Sequence, residues 1–146
     1  MKNITAADNR KNARFLVSAI LLTSLILSVT GTIAQQTKKW VAPATANQLK
    51  NPLAGDMGAL KDAKKLYLTY CAPCHGNAGK GNGIASASLY PKPADHTSAL
   101  VQSESDGSLY WKLTEGRAPM PSYKLALPDI QRWQLINYIR SLAKQK

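Results

Sequence analysis

A chain of 146 residues with 19 Lys and Arg against 8 Asp and Glu carries a formal charge of +11. Two cysteines and two histidines would all be needed for a four-ligand structural zinc site, distant His96 included, and their spacing matches no usual finger. The basic residues are scattered and lack an interleaved aromatic patch, which argues against a nucleic-acid surface.

The first 14 residues hold Lys2, Arg10, Lys11 and Arg14 against Asp8 alone, and an uncharged apolar run opens at Phe15. A basic stretch followed by an apolar one is the pattern of an export signal. Thr32-Ile33-Ala34 puts small residues where a signal peptidase reads them, so residues 1–34 are expected to be a signal peptide cleaved after Ala34. The competing reading is an uncleaved N-terminal anchor, because Phe15 to Ala34 is 20 uncharged residues, although Ser and Thr dilute it. Both readings export everything beyond, to the periplasm or to the outer face of the inner membrane. Gln35 to Lys146 keeps fifteen Lys and Arg against seven Asp and Glu, a formal +8, and is long enough for one small domain.

Residues 35–55 contain Pro43, Pro52 and little periodicity, and read as an extended lead-in on which Trp40 packs against the domain. The domain proper is expected over 56–146. Asp56 is a candidate cap, and Leu60, Ala63, Tyr67, Tyr70, Cys71 and Cys74 recur at helical intervals, so one apolar face runs into Cys71-Ala72-Pro73-Cys74-His75. A Cys-x-x-Cys pair alone also suits a thioredoxin-like site or a plain disulfide. No βαβ pattern surrounds this pair, and a histidine follows it directly. Two thiols three positions apart can each add to one vinyl group of a porphyrin while the adjacent imidazole comes under the iron, which points to covalent haem c. In an oxidising compartment such a pair otherwise tends to a disulfide, so dedicated assembly proteins are implied.

With Met120 placed 45 residues beyond His75, the chain resembles the class I c-type cytochromes, monohaem carriers with His/Met ligation. The likeness covers Asp56 to Ala143. It implies a small all-α cytochrome c fold, helices and loops wrapped around one covalently attached haem. Cys71 and Cys74 would hold the haem, His75 would be the proximal ligand and Met120 the second. It also implies that Ala63 sits where the first and last helices cross, and that a backbone carbonyl near Ile84 accepts the proximal Nδ1 proton.

Gly76 to Gly83 is a glycine-rich loop without the Lys-Ser/Thr order of a phosphate-binding loop, and is expected to turn tightly at the haem edge. Leu89 to Thr97, stiffened by Pro91 and Pro93, should lie across the haem as irregular chain. His96 is the one other histidine; a surface or propionate-edge role is preferred over axial ligation. Ser105 to Gly116 supplies a cap, a helix and a terminal glycine, with Leu109, Tyr110, Trp111 and Leu113 expected to wall the pocket.

Pro119 and Pro121 flank Met120, a soft thioether that favours reduced iron and needs a rigid backbone to stay bound. The other methionines, Met1 and Met57, lie before the cysteines. Arg117 and Tyr123 are candidates for the propionates. Pro128 to Ala143 reads as the last helix, with Pro128 at its first position, Asp129, Arg140 and Lys144 suiting its dipole, and Ile130, Trp133, Ile136, Tyr138, Ile139 and Leu142 on its apolar side.

An iron closed by His75 and Met120 offers no substrate site, so the expected activity is single-electron transfer between exported or membrane-bound respiratory redox partners, and not enzymatic catalysis. The positive balance suits partners with acidic docking faces. The rivals are a membrane-tethered haem subunit of a larger respiratory complex, and an open-site haem protein that binds a gas or peroxide.

Overall fold

The computed structural model describes residues 39–56, 58 and 60–143. The signal or anchor expected over 1–34, the first four residues of the lead-in, Met57 and Lys144 lie outside those residues. A compact unit begins at Lys39, so residues 39–55 are part of it, with a short 3-10 helix over Ala44–Gln48.

Asp56 does not cap the first helix directly. Its Oδ1 accepts from the Gly58 N–H at 2.8 Å, an Asx turn that precedes the helix. Helix α1 is Leu60–Tyr70, with Ala63 and Tyr67 wholly buried on its inner face. The chain breaks at Cys71, and the short helix α2, Ala72–His75, follows. After a glycine-rich loop come a 3-10 helix at Ile84–Ser88 and the short α3, Ala99–Gln102. Helix α4, Asp106–Glu115, is capped by the Ser105 hydroxyl, which accepts from the Ser108 N–H at 3.0 Å, and is closed by Gly116.

The last helix, α5, is Asp129–Leu142, one residue shorter at each end than expected, with Pro128 and Ala143 at the cap positions. One of its side chains departs from the sequence expectation of an apolar inner side, and one charged side chain is buried. Ile130 is exposed, whereas Arg132 is buried, donating to Thr114 Oγ1 at 2.6 Å, pairing with Asp129 and lying over the Tyr110 ring. Arg140 does more than complement the helix dipole: it donates to Asp106 Oδ1 at 2.8 Å and to the Gln102 carbonyl at 2.9 Å, tying α5 to the corner between α3 and α4.

Helix α1 packs against α5, where the small Ala63 permits close approach and the Tyr67 ring meets Tyr138 at 5.0 Å. Leu135 and Ile136 are wholly buried beneath this crossing, each worth about 1.5–3 kcal/mol in apolar transfer. The amide of Asn51 stitches the N-terminal segment to both neighbours, donating to Asp106 Oδ2 and to Asn137 Oδ1, each at 2.8 Å. Among the described residues there is no strand; Arg117 and Met120 form an isolated bridge. The fold is all-α.

Candidate functional site

The break between α1 and α2 matters because it turns the chain into an apolar cleft of about 330 Å³. Cys71, Cys74 and His75 enter it from this corner, Leu89, Pro91 and Pro93 from the irregular segment, Leu109 and Leu113 from α4, and Met120 and Tyr123 from the following turn. The four site residues predicted from sequence therefore line one chamber. Tyr110 and Trp111, expected in its wall, are absent from the lining: Tyr110 stacks on Trp133 at 3.9 Å, and Trp111 meets Trp40 edge-on.

His75 Nδ1 donates to the Ala94 carbonyl at 2.9 Å. The acceptor expected near Ile84 is thus displaced to the residue after Pro93. The glycine loop explains the shift, because it folds tightly under α2: a Cβ on Gly83 would stand 2.3 Å from the Pro73 carbonyl oxygen. Ile84 is left 95% exposed, while the Leu89–His96 stretch comes back against the loop, where the His96 N–H donates to the Gly79 carbonyl at 2.7 Å. With Nδ1 donating, the His75 Nε2 keeps its lone pair.

His96 is not at the surface. It is buried, its ring stacked on that of His75 with centroids 4.0 Å apart and planes 18° apart, and its Nδ1 lies 3.0 Å from the Tyr67 hydroxyl. Rings stacked side by side cannot ligate one iron from opposite faces. Burial lowers the His75 imidazole below its usual range, opposed by the Ala94 hydrogen bond, and takes His96 down to about 3, with His75 adding to the fall. Both rings are neutral at neutral pH, the form in which imidazole binds a metal. Burial pushes the Cys71 thiol up to about 12, with Cys74 adding to the rise, and takes the Tyr123 phenol to about 12 as well.

Met120 stands on a turn in which Arg117 and Met120 exchange two backbone hydrogen bonds of 2.9 Å. The turn is pinned to α4 by the Tyr123 N–H on the Leu113 carbonyl (3.2 Å) and by the Ser122 hydroxyl on the Thr114 carbonyl (2.6 Å). The Tyr123 hydroxyl donates to the Tyr70 carbonyl at 2.8 Å, so its proton is already engaged, and a propionate role for it is unsupported. Arg117 lies over the Trp40 ring at 4.9 Å and Lys112 at 5.6 Å, and Lys112 pairs with Glu104 at 2.6 Å. These residues, with Lys39, also line the cleft and form its charged corner. The sequence reading missed Lys112 and Glu104, since eight positions spanning a helix cap carry no recognisable spacing signal.

This lining fits a haem. Two thiols sit on one turn, an imidazole has its second nitrogen engaged, a thioether comes from a separate turn, the walls are apolar, and cations gather at one corner where carboxylates would be stabilised. Fold and cleft together define a c-type cytochrome domain of the small all-α cytochrome c fold. Residues 58–139 match the family model described as cytochrome c oxidase, cbb3-type, subunit III, and the chain belongs to that family. Its domain is one of haem-based electron transfer.

No curated protein matches the chain. Among solved structures it is similar to a chain of the Kuenenia stuttgartiensis reducing HAO-like protein complex, at 31% identity and a TM-score of 0.54, over 59% of this chain and 44% of that one. The likeness thus spans less than half of that neighbour's length.

Proposed function

We propose that the chain is a monohaem single-electron carrier, with haem c bonded through Cys71 and Cys74 and its iron ligated by His75 and Met120. The observation that carries this reading is the convergence of those four side chains on one apolar cleft, although Met120 is 45 positions from the motif. The haem supplies the one-electron iron couple. The protein supplies the rest. Ala94 holds the His75 tautomer, the Arg117–Met120 turn presents the thioether, the apolar lining excludes water, and the Trp40 corner offers Arg117, Lys112 and Lys39 to the propionates. With His75 and Met120 both holding the iron, no open position would remain for a substrate, so electron transfer would be outer-sphere and the protein a carrier rather than an enzyme.

The domain works outside the cytoplasm, free in the periplasm or held at the inner membrane by residues 15–34. A formal +8 on residues 35–146 favours acidic docking faces on its redox partners and association that weakens with salt. A second reading, a membrane-tethered haem subunit of a larger respiratory complex, is favoured by the oxidase-subunit description of the family and by the neighbour's membership of a protein complex. Co-purification with membrane redox proteins from native extracts, lost when residues 1–34 are replaced by a cleavable signal, is its expected result.

The carrier reading is tested by optical spectroscopy of the matured protein beside Met120→Ala. A low-spin spectrum with the weak long-wavelength charge-transfer band of Met–iron ligation, absent in the variant, is expected. A high-spin native spectrum, or one that binds carbon monoxide readily, overturns it in favour of an open site.

A further inference from the structure

His75 meets two neighbours that come from one short stretch of chain, the Ala94 carbonyl at its Nδ1 and the His96 ring on its face. A carbonyl alone is a loose restraint, because hydrogen-bond directions around an sp² oxygen are broad. Pivoting about that bond tilts the imidazole plane. A second ring already at van der Waals separation opposes the tilt, since closer approach meets steep repulsion.

His96 is itself fixed from several sides. Its N–H donates to the Gly79 carbonyl at 2.7 Å, and its own carbonyl accepts from Gln102 Nε2 at 2.6 Å, an amide that also donates to the Ile139 carbonyl at 3.1 Å. Gly79, at φ 74°, makes the fit close: a Cβ there would lie 3.2 Å from the His96 Cβ and 2.8 Å from Leu142 Cδ1. The Tyr67 hydroxyl, on a side chain with no exposure, is 3.0 Å from the His96 Nδ1, and Tyr67 is held in turn by Tyr138. A continuous set of contacts therefore leads from the packing of α1 on α5 to the face of the His75 imidazole.

We propose that His96, seated by Tyr67, is a positioning residue that sets the rotational angle of the His75 imidazole and hence the orientation in which Nε2 meets a bound haem iron. The proposal rests on His75 being the proximal ligand. Outer contacts of this kind fix ring orientation in metal-bound histidines generally. An axial imidazole overlaps most strongly with the iron orbital perpendicular to its plane, so its angle distributes the unpaired spin of oxidised iron unevenly over the porphyrin. That distribution is read directly in the proton resonances of the haem methyl groups.

The experiment compares the oxidised, haem-loaded wild type with His96→Leu, His96→Phe and Tyr67→Phe by proton NMR and optical spectroscopy. His96→Leu removes the ring, and is expected to keep covalent haem and a low-spin spectrum while changing the order or spread of the methyl shifts. His96→Phe keeps a flat ring and stays closer to the wild-type pattern. Tyr67→Phe frees His96 from its hydroxyl partner and moves the shifts in the same sense as His96→Leu, by less. A native methyl pattern in His96→Leu overturns the proposal. If that variant does not assemble, a native pattern in Tyr67→Phe does so instead. A purely structural role lowers the unfolding midpoint of these variants and leaves the methyl order intact. Failure of the underlying ligation is separately visible, because the wild type itself would then lack a low-spin histidine-ligated spectrum.

Discussion

His75 stands on a wall made of helices, and Met120 on one made of a turn. On the histidine side the residue belongs to α2, directly after α1, with its imidazole engaged by the Ala94 carbonyl and the buried His96 ring. On the methionine side Ala118, Pro119, Pro121 and Ser122 are exposed, and the turn is held by two internal backbone bonds, two bonds to α4 and the Tyr123 hydroxyl. The first wall inherits its rigidity from the core. The second depends on a few bonds, each worth about 1 kcal/mol, and is the side on which ligation is expected to yield first.

The largest effect that would sharpen this contrast is on the helical wall. Replacing Cys71 and Cys74 together by Ser is expected to abolish covalent haem and leave little folded protein, measured by haem staining under denaturing conditions and by far-ultraviolet circular dichroism. Met120→Ala should do much less to the fold. Covalent haem remains, the low-spin spectrum is lost, and the reduction potential falls because a thioether favours reduced iron. Equal loss of folded protein in the two variants would break the comparison.

Gly83→Ala sets a side chain 2.3 Å from the Pro73 carbonyl oxygen, a clash with backbone that the loop must shift to relieve. A loss of about 1–3 kcal/mol is expected, read from chemical denaturation. Tyr123→Phe removes one bond from the methionine wall and leaves the Tyr70 carbonyl without that donor. It should cost about 1 kcal/mol and raise the rate at which exogenous imidazole displaces the proposed Met ligand, while Gly83→Ala leaves that rate nearer to wild type.

The smallest effect concerns pH. Thr97, through its hydroxyl and N–H, donates twice to Asp95 Oδ1 at 2.7 Å, holding that carboxyl below its ordinary range, with desolvation opposing. A lowered folded value means that the stabilisation is fully present above the unfolded pKa of about 4 and is lost as pH falls through the folded one. Asp95→Asn should therefore flatten the acid limb of the unfolding-midpoint profile and change little at neutral pH.

Much of the contrast was legible in the chain. Cys71, Cys74 and His75 stand at the fixed spacing that covalent haem chemistry would demand, and prolines flank Met120, so the four residues that meet in the cleft stand out before folding. Ser105 and Gly116 bound α4 because capping is local. What escaped was tertiary. The Ala94 acceptor and the His96 stack join residues about twenty positions apart through a glycine loop whose path no periodicity encodes. The burial of Arg132 depends on Thr114, Asp129 and Tyr110 gathering around it, which no local pattern encodes. The helical pattern before Cys71 gave no hint of a break there, although that break aims the motif into the cleft.

Asn51 bears on how this domain can be moved. Its one amide holds Asp106 and Asn137 together, and its Oδ1 accepts from the Leu53 N–H at 2.9 Å. The family match begins only at residue 58. A transplant trimmed to that shared region would carry the haem motif intact yet leave its rivet behind, so a fusion or minimal domain should retain the chain from Lys39 onward.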